Sequence, residues 1–288
     1  MKRIFMAVIA IMMTVSASAQ FYIYLSNGDV LQADSVSLIP PAPYKPVNGM
    51  LCGEFSVSAT TKVHFSQGNL QYVGTWQFAE NQWDYFGDSQ SDNHRDLFGW
   101  GTGSAPFLVS TDNHLYSSFV DWGTNAITNG GNEANVWRTL TKDEWVYLFY
   151  TRENAATLFA LGSVNGVNGT ILLPDDWTLP AGASFTASTT QGLADQGSYF
   201  HNSNGKNFSD NTYTSQQWAV MESAGAVFLP AAGHRNGTDM SLVGSGGAYW
   251  SATPLVEEYA YQLYFVSYSL RPQDIYNRFY GHSVRLVR

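Results

Sequence analysis

Few residues of this chain are suited to chemistry, and their spacing gives catalysis little support. Cys52 is the sharpest candidate, because a thiolate with a neighbouring base would be a nucleophile. It follows a proline-rich stretch in Met50-Leu51-Cys52-Gly53, where a cysteine at a strand start is usually an inert small hydrophobe. Asp92-Asn93-His94 and Asp112-Asn113-His114 pair a carboxylate with an imidazole and could ligate a metal. Asp-Asn runs are also ordinary turn chemistry, and that reading is favoured. Asp175-Asp176 could offer oxygens to a hard cation, but adjacent carboxylates more often start a helix or turn. Gly99-Trp100-Gly101-Thr102-Gly103 lacks the spacing of a dinucleotide loop and reads as a turn around a buried tryptophan. No Gly-x-Ser-x-Gly elbow, His-Glu-x-x-His helix or phosphate-loop lysine occurs. The expectation is a non-enzymatic protein with no catalytic residues, no metal site and no cofactor.

Tyrosine is distributed less evenly. Seven of the 17 tyrosines (Tyr249, Tyr259, Tyr261, Tyr264, Tyr268, Tyr276 and Tyr280) fall within residues 249–280. Tyrosine offers large, rigid, amphipathic contact area at low entropy cost, which suits binding surfaces. Period-2 alternation along 260–270 puts Tyr261, Leu263, Phe265 and Ser267 on one strand face, and Gln262, Tyr264, Val266 and Tyr268 on the other. Alternation alone is balanced between a binding face and a central strand with tyrosine hydroxyls at its rim.

The elements that must position these residues are short. Thr141-Lys142-Asp143-Glu144-Trp145 and Thr214-Ser215-Gln216-Gln217-Trp218 each fit a capping box that opens a helix. The first would bury Trp145, Leu148 and Phe149; the second would bury Trp218 and Met221 and stop at Gly225. Strand-like runs occur at 63–65, 171–173, 226–229, 263–266 and 283–287, while 198–211 is polar, Gly/Asn-rich and reads as a mobile surface loop. Phe21–Leu25 and Val30–Leu31 flank Ser26-Asn27-Gly28-Asp29, a hairpin signal. Lys2 and Arg3 precede an apolar run that ends at Ala17-Ser18-Ala19, the pattern of a secretory signal peptide rather than a membrane span. The predicted organisation is a signal peptide at 1–19, a hairpin segment at 20–39, a Pro-rich linker at 40–53 and one domain at 54–288.

Composition narrows the function. The chain has 288 residues, 44% hydrophobic and only 13% charged, with a net charge of −9. Soluble domains carry about 25% charge, so this surface is built largely from uncharged polar and aromatic groups. With no basic stripe, nucleic acid is excluded as a partner. A single cysteine rules out an intrachain disulfide, so the fold depends on its core.

Several blocks resemble a known family. Phe55–Ser58, Val63–Tyr72 and Trp83–Gly87 look like the opening of a group of exported bacterial proteins. The likeness continues through Asp96–Gly101, Leu140–Leu148, Val164–Trp177 and Phe228–Thr238, and ends with Tyr249–Thr253 and Gly281–Arg288. These blocks are similar to major-paralogous-domain proteins, which belong with the formylglycine-generating-enzyme version of the C-type lectin-like fold. The resemblance implies an α+β fold: two helices beside a small twisted antiparallel sheet, with first and last strands paired, preceded here by the short N-terminal hairpin. Formylglycine-generating enzymes rely on cysteines for chemistry, and Cys52 lies outside the matching blocks, so that activity is not implied.

Some members of that superfamily are variable proteins of diversity-generating retroelements, in which adenine-directed mutagenesis rewrites chosen codons near the C-terminus. After Trp250, the residues Ala260, Leu263, Phe265, Ser267, Leu270, Pro272, Arg278 and Gly281 look like fixed scaffold. Intervening positions such as Val256, Tyr259, Tyr264, Val266, Tyr268, Asp274, Ile275, Tyr276, Asn277, Phe279 and Tyr280 hold residues reachable from an Asn codon; Glu257, Glu258 and Gln262 fit less well. The resulting expectation is an exported protein of the periplasm, cell surface or exterior, without a transmembrane span. It would bind a protein or glycan through Val256, Tyr259, Tyr264, Val266, Tyr268, Arg271, Tyr276, Phe279 and Tyr280, with Arg271 as a charged fork. Arg278 and Arg285 read as scaffold. The alternative is a structural subunit of the cell envelope or a fibre tip, whose tyrosines only pack.

Overall fold

A computed structural model describes residues 21–24, 30–33, 44–188, 200–201 and 207–288. The signal-peptide reading of 1–19 and most of the 198–211 loop lie outside the described residues. The chain divides into two units, Met1–Tyr44 and Lys45–Arg288. In the first, β1 (Phe21–Tyr24) pairs antiparallel with β2 (Val30–Ala33), Phe21 opposite Ala33 and Tyr24 opposite Val30.

The second unit begins earlier than the sequence suggests. Met50 bridges Ser66, Leu51 N donates to Phe65 O at 2.9 Å, and Leu51 is fully buried. The end of the expected 40–53 linker is therefore built into the body. Burial of Leu51 stabilises this placement of the residues just before Phe55.

The body opens with β3 (Phe55–Ser56), β4 (Lys62–Val63), β5 (Leu70–Val73), β6 (Trp76–Phe78) and β7 (His94–Arg95). Next come β8 (Arg138–Thr139), α1 (Lys142–Val146), β9 (Phe159–Val164) and β10 (Val167–Leu172). After β11 (Phe200–His201) and β12 (Thr212–Tyr213), α2 (Ser215–Ser223) leads into β13 (Val227–Pro230). The hairpin β14 (His234–Asn236) and β15 (Asp239–Ser241) precedes a long meander of β16 (Gly246–Val256), β17 (Tyr259–Val266) and β18 (Ser269–Asn277). A short β19 (Leu286–Val287) closes the chain.

Both capping boxes form as read. Thr141 and Thr214 each accept from the backbone N–H three residues on, and Glu144 and Gln217 reach back to the cap backbone. Trp145, Leu148, Phe149, Trp218 and Met221 are buried, and Gly225 turns the chain after α2 at φ +98°. Between β9 and β10, Asn165 (φ 51°) and Gly166 (φ 81°) make the left-handed two-residue turn that a tight hairpin needs.

The expected α+β arrangement of two helices beside one small sheet is not what forms. Strand exceeds helix, 35% against 14%, and the described strands fall into seven small sheets of two to four strands. The helices themselves are short. α1 has five residues before one π turn (Tyr147–Thr151), and α2 has nine. Each covers part of a different sheet: α1 lies against the meander, while α2 sets Trp218 against Phe228 of β13, with ring centroids 5.6 Å apart. The physical reason is turn density. Closely spaced Gly and Asn turns cut the chain into short strands, and each small sheet needs its own partner to bury its apolar side.

The C-terminal segment joins several sheets of the second unit. Gly281 exchanges two backbone hydrogen bonds with Arg235, and His282 does the same with Phe98. Ser283 bonds Ala248 and Trp250; Val284 O accepts from Leu70 N at 2.8 Å; Leu286 pairs with Thr139 and accepts from Ser66. Arg288 exchanges two bonds with His64. Within the same region, fully buried Gln82 is a polar hub. Its Oε1 accepts from Arg285 Nη2 at 2.9 Å and Phe228 N at 2.6 Å. Its Nε2 donates to Glu222 Oε1 at 2.8 Å and Ala226 O at 3.1 Å.

Replacing Gln82 by Met keeps the volume but leaves a buried guanidinium and an N–H without that partner. We expect Gln82→Met to cost on the order of 3 kcal/mol in chemical denaturation. A loss below about 1 kcal/mol would show that the hub does not couple these segments.

Candidate functional site

The meander has two differently used faces. On one, Tyr249, Leu263 and Phe265 are buried; Tyr249 stacks on Phe265 at 6.2 Å and donates its hydroxyl proton to Pro230 O at 2.8 Å. Gly247 sits opposite Phe265, and a Cβ there would come within 2.2 Å of the Phe265 ring, so close approach requires glycine. On the other face, register aligns Trp250, Gln262 and Asp274 in one row, and Ala248, Tyr264 and Arg271 in the next. A register shift between Gln262 and Tyr264 brings Arg271 level with Tyr264.

That second face carries a cleft of about 190 Å³. Gln262, Tyr264, Arg271, Asp274 and Tyr276 form its sheet side, with Ala248. His234, Leu242 and His282 close it from neighbouring segments. The antiparallel bridge between Arg235 and Gly281 makes the two histidines neighbours, with ring centroids 6.1 Å apart. His282 also stacks on Trp250 at 4.0 Å, and His234 lies 5.7 Å from Tyr276.

Charges in the cleft are balanced. Arg271 Nη1 lies 3.6 Å from Asp274 Oδ2, and the guanidinium sits 5.7 Å from the Tyr264 ring centre. Burial raises the Asp274 carboxyl above its ordinary range, opposed by Arg271 and by hydrogen bonds that include one from Gln262. Burial lowers both imidazoles, His282 well below its usual value, with His234 and Arg235 adding to the effect. Burial also raises the Tyr264 and Tyr276 hydroxyls. Gln262 Oε1 and His282 Nδ1, on lining side chains 1% exposed, have no hydrogen-bond partner.

The expected ligand residues are only partly gathered here. Tyr264, Arg271 and Tyr276 line the cleft; Tyr280 packs edge-on against Tyr276 at 4.4 Å; Tyr268 is 63% exposed in the turn after β17. Val256, Tyr259 and Phe279 belong to the opposite end of the meander, and β17, at eight residues, spans roughly 25 Å. Val266 does not belong to the site. It is buried against Gly246, whose added Cβ would meet its methyl at 3.1 Å.

Sequence reasoning missed His234 and His282, which spacing could not bring together, and undervalued Gln262. The scaffold reading of Arg278 and Arg285 fits their contacts. Arg278 lies over the Trp100 ring at 4.3 Å and donates to the carbonyls of Val256 and Tyr259, and Arg285 is held by Asn69 and Gln82.

The other chemical candidates are occupied locally. Cys52 is exposed, its thiol 3.6 Å from Ser223 O. Asp112 caps a short turn by accepting from His114 N, and His94 contacts Ser91 and Ser89. Asp175 accepts from Ser56 and Arg152, and Trp100 is buried in its Gly-rich turn. Among the described residues, no three His, Cys, Asp or Glu side chains are grouped to hold a metal, and no helix is long and apolar enough to cross a membrane. No protein-family model matches the chain, and no curated protein or solved structure matches it either.

Because the folded state depresses the His282 pKa, only the unfolded chain gains that proton as pH falls below about 6.5. His282 therefore adds stability that is present above that pH and lost below it. The unfolding free energy of the wild type, from chemical denaturation, should fall more steeply between about pH 7 and 5 than that of His282→Gln, by up to ~1.4 kcal/mol per pH unit for one proton. Parallel profiles would mean that His282 takes up its proton in the folded state.

Proposed function

We propose that this is an exported, non-enzymatic ligand-binding protein whose C-terminal meander presents the binding face. The observation that carries the reading is the cleft on β17 and β18, where buried Gln262 Oε1 and His282 Nδ1 have no hydrogen-bond partner. Buried polar groups are nearly always satisfied, so unpaired ones beside an open cleft suit a ligand that completes them. Around them, Tyr264, Tyr268, Tyr276 and Tyr280 offer rigid amphipathic area beside the Arg271–Asp274 pair.

Two sequence features support the wider reading. The signal-like N-terminus favours export. Tyr264, Tyr268, Asp274, Tyr276 and Tyr280 are also positions that the resemblance to retroelement variable proteins marks for rewriting, while buried Leu263, Phe265 and Leu270 between them are marked as fixed. A site diversified in this way needs exposed variable side chains on an invariant packed backing.

An array of proteins and glycans probed with the wild type and with Tyr264→Ala/Tyr268→Ala tests the reading. We expect a ligand bound by the wild type to be lost about tenfold or more by the double variant, with little change in melting temperature. Full retention of every bound ligand, or unfolding of the double variant, would favour the structural-subunit alternative.

A further inference from the structure

The cleft on the meander holds one ring at most. Its volume of about 190 Å³ lies below the roughly 300–1,000 Å³ of pockets that enclose drug-sized ligands. Its chemistry is polar but balanced: one carboxylate and one guanidinium paired at 3.6 Å, with the buried His282 and half-buried His234 imidazoles both shifted toward the neutral form. A ligand with a net charge would find no unmatched counter-charge among the lining residues. The hydrogen-bonding groups are of both kinds. Gln262 donates to Asp274, which fixes its amide and leaves Oε1 as an acceptor. Asp274 accepts, Arg271 donates, and the Tyr264 and Tyr276 hydroxyls do either. The Tyr264 and Tyr276 rings and His234 add flat apolar surface to the same small space.

We propose that this cleft binds a single neutral sugar ring, the terminal residue of a glycan. Vicinal hydroxyls are donors and acceptors on adjacent carbons, which Gln262 Oε1 and Asp274 in one row and Arg271 in the next can satisfy together. The C–H face of a pyranose is flat and apolar and packs on tyrosine. An amino acid or other zwitterion would have to break the Arg271–Asp274 pair, and an acidic group would need a second cation. The inference rests on the reading of the meander as a binding face and narrows it to one ligand class.

The test titrates the protein with methyl glycosides of galactose, glucose, mannose, fucose and N-acetylglucosamine. N-acetylneuraminic acid and glucuronic acid serve as charged comparators, and binding is read by saturation-transfer and amide NMR. At least one neutral glycoside should bind saturably and shift amides of β17 and β18. Gln262→Met and Asp274→Asn should each weaken it about tenfold or more, while Leu255→Ser, an exposed site outside the cleft, leaves it unchanged. Binding by the acidic sugars alone, or neutral binding that survives both cleft variants, would overturn the assignment. If no glycoside binds but Tyr264→Ala/Tyr268→Ala still loses an array ligand, the sugar assignment falls and the binding-face reading stands. If that double variant keeps every array ligand, both fall.

Discussion

The segment from Gly281 to Arg288 is the constraint on which the rest of this structure depends. Sheets of two to four strands cannot each enclose a core, so the six in the second unit must bury their apolar sides against one another. The last eight residues do this by giving their backbone groups to Arg235, Phe98, Ala248, Trp250, Leu70, Ser66, Thr139 and His64. Those partners lie on β14, β16, β5 and β8 and on the stretches that follow β4 and β7, so the closing segment ties these parts of the unit to one another. A chain of low charge and a single cysteine has no disulfide to do this instead.

That closure also explains why polar side chains are buried where they are. Arg285 enters the interior with the closing segment, and desolvation lowers its pKa to about 10. Its hydrogen bonds go to amide oxygens of Asn69 and Gln82 rather than to a carboxylate, so the surrounding segments must converge for it to be satisfied at all. Arg278 acts similarly at the meander end, holding the carbonyls of Val256 and Tyr259 while lying over Trp100. Such groups stabilise little by themselves, but a misplaced segment leaves a buried charge unpaired, and that is costly. The same closing segment carries His282 to the cleft, so scaffold and site share one structural cause.

Much of the local structure was legible. Thr141 with Glu144 and Thr214 with Gln217 are bonded three residues apart, so the capping boxes could be read from adjacent letters. Alternation in β17 separated Leu263 and Phe265 from Gln262 and Tyr264 correctly, because side chains on a strand alternate whatever the strand packs against. The same rule put Val266 on the Tyr264 face, where its register with Gly246 places it, but alternation assigns a face and says nothing about how buried a position is. The fold class was read wrongly for a related reason. Two good helix starts say where helices begin, not how little of the chain they will occupy, and the balance of strand over helix was set by many turns whose pairing is non-local.

The sequence by itself determined the two capped helices, the tyrosine-rich strand and the low, acidic charge. These depend on neighbours within a few residues or on composition. Only the tertiary structure decided that several small sheets form instead of one, that residues before Glu54 join the core, and that His234 and His282 meet Gln262 and Asp274. Those outcomes depend on pairing between distant segments, the Arg235–Gly281 bridge above all, and such a pairing leaves no periodic mark in the chain on either side of it.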